Sequence, residues 1–208
     1  PEHPQLLFIG GTGRSGTHVF SQLLANHSRY ARVPIEARFH VNPQGFPDLL
    51  AGQVTPEQFL RKLKRFWWRR IRAGEVAPVV ARRIAFGRKV RGLHKVVEKD
   101  RFDAAVAEFE RTSPSDLDLA CRNLFLDLLW PVATEAGKPG LIEMSCFTIA
   151  ESPTLIRLFP DAKLIHTVRD GRDAGSSKVS KRQKRSHPRD GSEGIRWWEG
   201  RLRKIEAG

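Results

Sequence analysis

Residues 6–18 read LLFIGGTGRSGTH. The apolar run Leu6–Ile9 predicts a short buried strand, and Thr17-His18-Val19-Phe20 opens an amphipathic helix, with a glycine-rich turn between them. Strand, glycine loop and helix N-terminus in that order make a cradle for an anion. Glycines let backbone N–H groups converge on phosphate oxygens, and the helix adds about half a positive charge at its first turn.

Three motif readings compete for this loop. A nucleoside-triphosphate loop needs Lys-Ser/Thr after its last glycine. Gly11 and Gly16 have the right spacing, but Thr17-His18 follows instead. A dinucleotide fingerprint, G-x-G-x-x-G, is matched by Gly11, Gly13 and Gly16, with Glu36 near the place of a ribose-binding acid. A serine-hydrolase elbow, G-x-S-x-G, fails at Thr17. The bland alternative is a tight turn with no ligand.

A second stretch, Phe159 to Ser180, reads FPDAKLIHTVRDGRDAGSSKVS. Lys163–Val168 predicts another buried strand, Asp170-Gly171 a turn, and Asp170 or Asp173 the start of a helix. Arg169 then stands at the carboxyl end of a strand and Ser177 about two turns into the next helix. Ligands bind at that edge of open α/β sheets, and a guanidinium fork beside a hydroxyl suits a phosphate. The competing reading is an ordinary ion pair of Arg169 with Asp170 or Asp173.

Together the two stretches resemble the sulfotransferases that use 3′-phosphoadenosine 5′-phosphosulfate (PAPS). That family carries a [KR]-[ST]-G-[ST] loop after its first strand, and Arg14-Ser15-Gly16-Thr17 matches it. It also carries an Arg and a Ser eight positions apart after a later strand, as Arg169 and Ser177 are. Phe159-Pro160-Asp161-Ala162-Lys163 is similar to the lead into that strand. The resemblance implies a P-loop nucleotide-kinase-like fold, PAPS as the donor and adenosine 3′,5′-bisphosphate as the product. It implies that Gly13, Arg14, Ser15, Gly16, Thr17 and His18 hold the 5′-phosphosulfate, with Arg14 on the bridging or leaving oxygen. It places Arg169 and Ser177 on the 3′-phosphate. No metal is expected, because a sulfuryl group carries less charge than a phosphoryl group and catalysis is mostly positioning and charge stabilisation.

A base must take the acceptor's proton. Glu36 follows Ala31–Ile35, a predicted second strand, and so belongs at the same sheet edge. Glu36-Ala37-Arg38 is also similar to the E-x-R stretch of the tyrosylprotein branch, where a Glu acts as base. The alternative is a plain ion pair of Glu36 with Arg38 or Arg32. His40 and Glu143 are the reserve candidates; His18 is a poorer base because it faces phosphate. Two departures from the family stand out. Ser145-Cys146-Phe147 replaces the usual Lys-[ST]-Pro, so a lysine contact to the sulfuryl group is absent or supplied elsewhere. Relatives also continue past the helix of residues 191–205 with a strand and a loop over the adenine, which lie outside residues 1–208.

The 208 residues fit one domain with a sizeable core. Two cysteines make no disulfide framework. No apolar run reaches membrane-span length and no signal-peptide pattern opens the chain, so a cytoplasmic enzyme is expected, although a start at Pro1 without Met implies trimming. Lys and Arg number 36 against 23 Asp and Glu, a net charge of +13. Such a surface speeds capture of an anionic donor. The densest basic run, Arg61–Arg72, is predicted helical behind a Thr55-x-x-Gln58 capping box, with Phe59, Leu63, Phe66 and Trp67 as its apolar stripe. It suits a solvated helix docked on the core, an acceptor lid, a membrane-surface contact or a nucleic-acid contact.

Strands near 6–10, 31–35, 141–144 and 163–168 alternate with helices. They predict a three-layer α/β domain with a parallel sheet and a helical insertion, about 55–136, as the acceptor cap. Further helices are predicted at 101–111, at 114–136 behind Ser113-Pro114, at 152–159, and after an Asp190-x-x-Glu193 capping box. Trp197 and Trp198 are read as core, with ligand platforms as the alternative. The rival functions are a Rossmann-type dinucleotide oxidoreductase and a basic module for nucleic acid or an anionic surface; with a sulfotransferase, no nucleic acid is expected.

Overall fold

The computed structural model describes residues 4–69, 92–180 and 187–207. They fall into two compact units, 1–33 with 132–208, and 34–131.

The first unit is built on four parallel strands: β1 (Gln5–Gly11), β2 (Tyr30–Arg32), β3 (Gly140–Glu143) and β4 (Lys163–Thr167). Their order across the sheet is β2-β3-β1-β4. β1 is buried almost end to end, as a central strand covered on both faces must be. Leu7 and Ile9 face one way, with Ile142 and Met144, and take Phe20 and Leu24 of α1 (Thr17–Ala25). Phe8 faces the other way and meets Phe159, ring centroids 5.8 Å apart, at the end of α7 (Ser152–Leu158). The predicted α/β architecture, a parallel sheet flanked by helices, is what forms. Lys138 ties α1 to the sheet by donating to the carbonyls of Ala25, His27 and Tyr30 at 2.9, 3.1 and 3.0 Å.

Because all four strands are parallel, their carboxyl ends share one edge. Gly11 pairs with Thr167, and Phe8 with Glu143, so the glycine loop, Arg169 and the Ser145–Phe147 turn all leave the sheet there. β2 is shorter than predicted. It stops at Arg32, although the Val33 N–H still donates to Ile142 O at 2.9 Å. Beyond β4, α8 (Gly171–Val179) and α9 (Gly191–Glu206) cross at Gly175 and Gly194. A Cβ on Gly175 would lie 2.7 Å from the Gly194 carbonyl carbon, so only glycine permits this approach. Asp190 caps α9 by accepting from the Glu193 N–H at 2.9 Å, but the box is not reciprocal. Glu193 turns to the Arg189 N–H, at 2.8 Å, and to its guanidinium.

The second unit holds α2 (Phe46–Leu50), α3 (Pro56–Lys62), α4 (Lys99–Thr112) and α5 (Leu117–Leu129). The Thr55 box is complete. Thr55 Oγ1 accepts from the Gln58 N–H at 3.3 Å, and Gln58 Oε1 from the Thr55 N–H at 2.9 Å. The predicted basic helix changes pitch to a wide π-type turn over Leu63–Trp67, and residues 70–72 lie outside the described residues. Three residues of its stripe, Phe59, Leu63 and Trp67, are fully buried, and Phe66 is half-buried. Phe59 stands in a run of rings with Phe46 at 5.5 Å, Phe109 at 5.4 Å and Trp67 at 6.0 Å. The helix predicted over 114–136 is two. Asp116, not Ser113-Pro114, caps α5 through the Leu119 N–H at 2.9 Å, and Pro131 starts α6 (Pro131–Glu135).

Candidate functional site

Three residues of the Thr12–Gly16 loop lie in the left-handed region: Gly13 at φ 85°, Arg14 at 61° and Gly16 at 88°. These angles, two of them consecutive, turn the backbone sharply between β1 and α1. Glycine accepts such angles freely, whereas Arg14 holds its own at about 1–2 kcal/mol. No side chain caps α1, and its first turn carries no acid, so the helix presents its positive end at the loop. Thr17 is the first residue of α1 and His18, exposed, the second.

Ser15 is buried, and its hydroxyl shares a hydrogen bond of 3.1 Å with Thr167 Oγ1. Thr167 in turn donates to Gly10 O at 3.1 Å. Ser15 is thus the strut that pins the loop to β4. Gly11 has to be glycine, because a Cβ there would stand 2.5 Å from both Ser15 Oγ and Thr167 O.

Arg14 spans the largest sequence distance at the site. Its Nε and Nη2 donate to Ser177 Oγ on α8 at 3.0 and 2.8 Å, across 163 residues. Arg169 completes a triangle. Its Nη1 donates to the Arg14 carbonyl at 3.3 Å, while Nη2 lies 3.5 Å from Asp173. Arg169 therefore touches the glycine loop and makes a loose ion pair with Asp173, one of the two acids its ion-pair reading named. Asp170 is taken by its neighbour: it accepts from the Arg172 N–H at 2.8 Å and from the Arg172 guanidinium at 2.7 Å. These bonds hold its carboxyl well below the usual range.

Gly13, Arg14, Ser15, Gly16, Thr17, His18, Arg169 and Ser177 accordingly belong to one unit and one sheet edge. Glu36 belongs to the other unit, four residues past the end of β2. Arg38, itself left-handed at φ 66°, forks onto Glu36 Oε2, with Nε at 2.8 Å and Nη2 closer still. His40 is wholly buried between the rings of Phe39 and Phe125, at 5.5 and 5.1 Å. Glu143, 1% exposed at the end of β3, accepts from Ser145 Oγ at 2.6 Å. Among the described residues no group of three His, Cys, Asp or Glu side chains is placed to hold a metal ion, and no helix is long and apolar enough to cross a membrane.

Sequence reasoning missed three contributors. Thr167 gave itself away only as a hydroxyl at a strand end. Cys146 and Trp197 lean on the loop: a Cβ on Gly13 would lie 3.0 Å from Cys146 Sγ and 3.7 Å from the Trp197 ring. Trp198 instead packs against Gly171 at the start of α8. Nothing local in the sequence distinguishes the two tryptophans.

Comparison with protein families matches the sulfotransferase family over residues 4–208, and the chain belongs to that family. Comparison with curated proteins returned no match.

Proposed function

We propose, from membership of the sulfotransferase family, that this chain transfers a sulfuryl group from PAPS to an acceptor hydroxyl. The observation that carries the reading is the hydrogen-bonded pair Arg14–Ser177, which unites the two elements the family uses for a nucleotide carrying two phosphate groups. In the transfer an acceptor oxygen bonds to sulfur, the bond from sulfur to the bridging oxygen breaks, and the acceptor proton passes to a base.

The residues suit such a donor. The left-handed glycine loop and the uncapped start of α1 offer backbone N–H groups to a 5′-phosphate, with the Thr17 hydroxyl beside them. Arg14 brings a full positive charge with no carboxylate partner among the described residues. Ser177 accepts from Arg14 and keeps its own O–H to donate to a phosphate oxygen, since a hydroxyl does both. Arg169, partly exposed at the edge, adds a second guanidinium for the 3′-phosphate. Glu36, oriented by Arg38, is the proposed base, and the helical unit the proposed acceptor cap. The acceptor is a carbohydrate, a peptide tyrosine, a lipid or a small phenol.

Thermal shift separates this reading from a dinucleotide enzyme. Adenosine 3′,5′-bisphosphate should raise the melting temperature well above any rise with NAD or ATP. A larger shift with NAD would overturn it.

A further inference from the structure

We infer that Arg201 on α9 is the cation that contacts the sulfuryl group, in place of the lysine that Ser145-Cys146-Phe147 lacks; the inference rests on the sulfotransfer reading above. The Arg201 guanidinium carbon lies 4.4 Å from the centre of the Phe147 ring and 5.8 Å from that of Trp197. Both rings belong to the wall of the glycine loop. Trp197 touches the space over Gly13, and Phe147 follows Cys146, whose sulfur touches the same space. Trp197 and Arg201 are four residues apart on one helix and so share a face.

The surroundings leave this charge unspent. Neighbouring arginines on or beside α9 have taken two of its carboxylates: Arg189 pairs with Glu193 and Arg203 with Glu199, each at 2.6 Å. Arg201 makes no hydrogen bond or ion pair among the described residues, yet it is half-buried. A guanidinium stacked on an aromatic face keeps all five N–H groups at its rim, and stacking fixes the plane before any anion arrives. Lys178 also lies beside Trp197, 5.2 Å from its ring, but its Nζ is engaged with His187 Nε2 at 3.2 Å. Phe147 occupies the position where relatives place proline. The segment that lacks the lysine at Ser145 thus carries, two residues on, the ring against which an arginine from another helix lies.

The test compares the donor with its product. Arg201→Ala should weaken PAPS binding about tenfold or more, the scale of one charge-assisted hydrogen bond, and change adenosine 3′,5′-bisphosphate binding less than about twofold. Arg201→Lys, which keeps charge but loses the planar fork, should fall between, and it serves as the readout if the alanine variant folds poorly. Equal loss for both nucleotides, or loss for neither, overturns the assignment and leaves the sulfotransfer reading standing. If the unaltered protein binds neither nucleotide, the sulfotransfer reading itself fails and the assignment falls with it.

Discussion

Arg14 and Arg38 share an uncommon backbone geometry, each in the left-handed region beyond a strand of the sheet, and they use their charge in opposite ways. Arg14 reaches across 163 residues to a neutral hydroxyl, and among the described residues no carboxylate answers its charge. Arg38 turns back two residues to a carboxylate and neutralises it. A strained arginine that ends on an alcohol keeps a charge that an anion could answer, the role proposed for Arg14. One that ends on a carboxylate orients that carboxylate. The same local cost of about 1–2 kcal/mol therefore supports two roles, set by what stands at the end of the side chain.

The sharpest break in this contrast comes from Arg14→Ala. If its charge acts on the leaving oxygen, turnover should fall by about 10²–10³, while adenosine 3′,5′-bisphosphate binding falls far less. Steady-state kinetics beside calorimetric titration decides it, and intact turnover would return Arg14 to a loop-tethering role. A smaller loss, about a hundredfold, is expected for Glu36→Gln, together with disappearance of the acidic limb in the pH profile of turnover. An unchanged limb moves the base elsewhere, with Glu143 next in line at the sheet edge.

Asp170 and Arg172 give the smallest effect and a control, since that pair is exposed and purely structural. Its carboxyl pKa is depressed in the folded state. The stabilisation is therefore present above the ordinary aspartate value of about 3.9 and is lost as pH falls through the lower folded value. Asp170→Asn keeps an acceptor for the Arg172 N–H, so its melting temperature should sit slightly below that of the unaltered protein at neutral pH. The gap should close in strong acid. A gap that widens on acidification would contradict the pairing.

Much of the site was legible in the chain because its signals are local. Glycines with a helix start, and an arginine at the end of a β-branched run, announce their backbone geometry within a few residues. The fold class followed for the same reason, since four short apolar strands alternating with helices admit few arrangements. Where a boundary depended on one residue, the pattern misled. β2 ended at Arg32 rather than at residue 35, Asp116 rather than Ser113 capped α5, and Glu193 bonded Arg189 instead of closing its box. The aromatic stripe of the basic run left four readings open, of which packing on the core is what Phe59, Leu63 and Trp67 do, and its change to a wider turn was not visible in the spacing.

From sequence alone, this protein's glycine loop between strand and helix, its parallel sheet and the family resemblance were already legible, because each rests on backbone conformations that neighbouring residues dictate. Only the tertiary structure could place Arg14 on Ser177, Ser15 on Thr167, and Arg201 between Phe147 and Trp197. Those contacts join segments tens to more than a hundred residues apart, brought together by strand order and by the close crossing of α8 and α9 at two glycines. A side chain's partner across such a distance is chosen by packing, and packing has no local code.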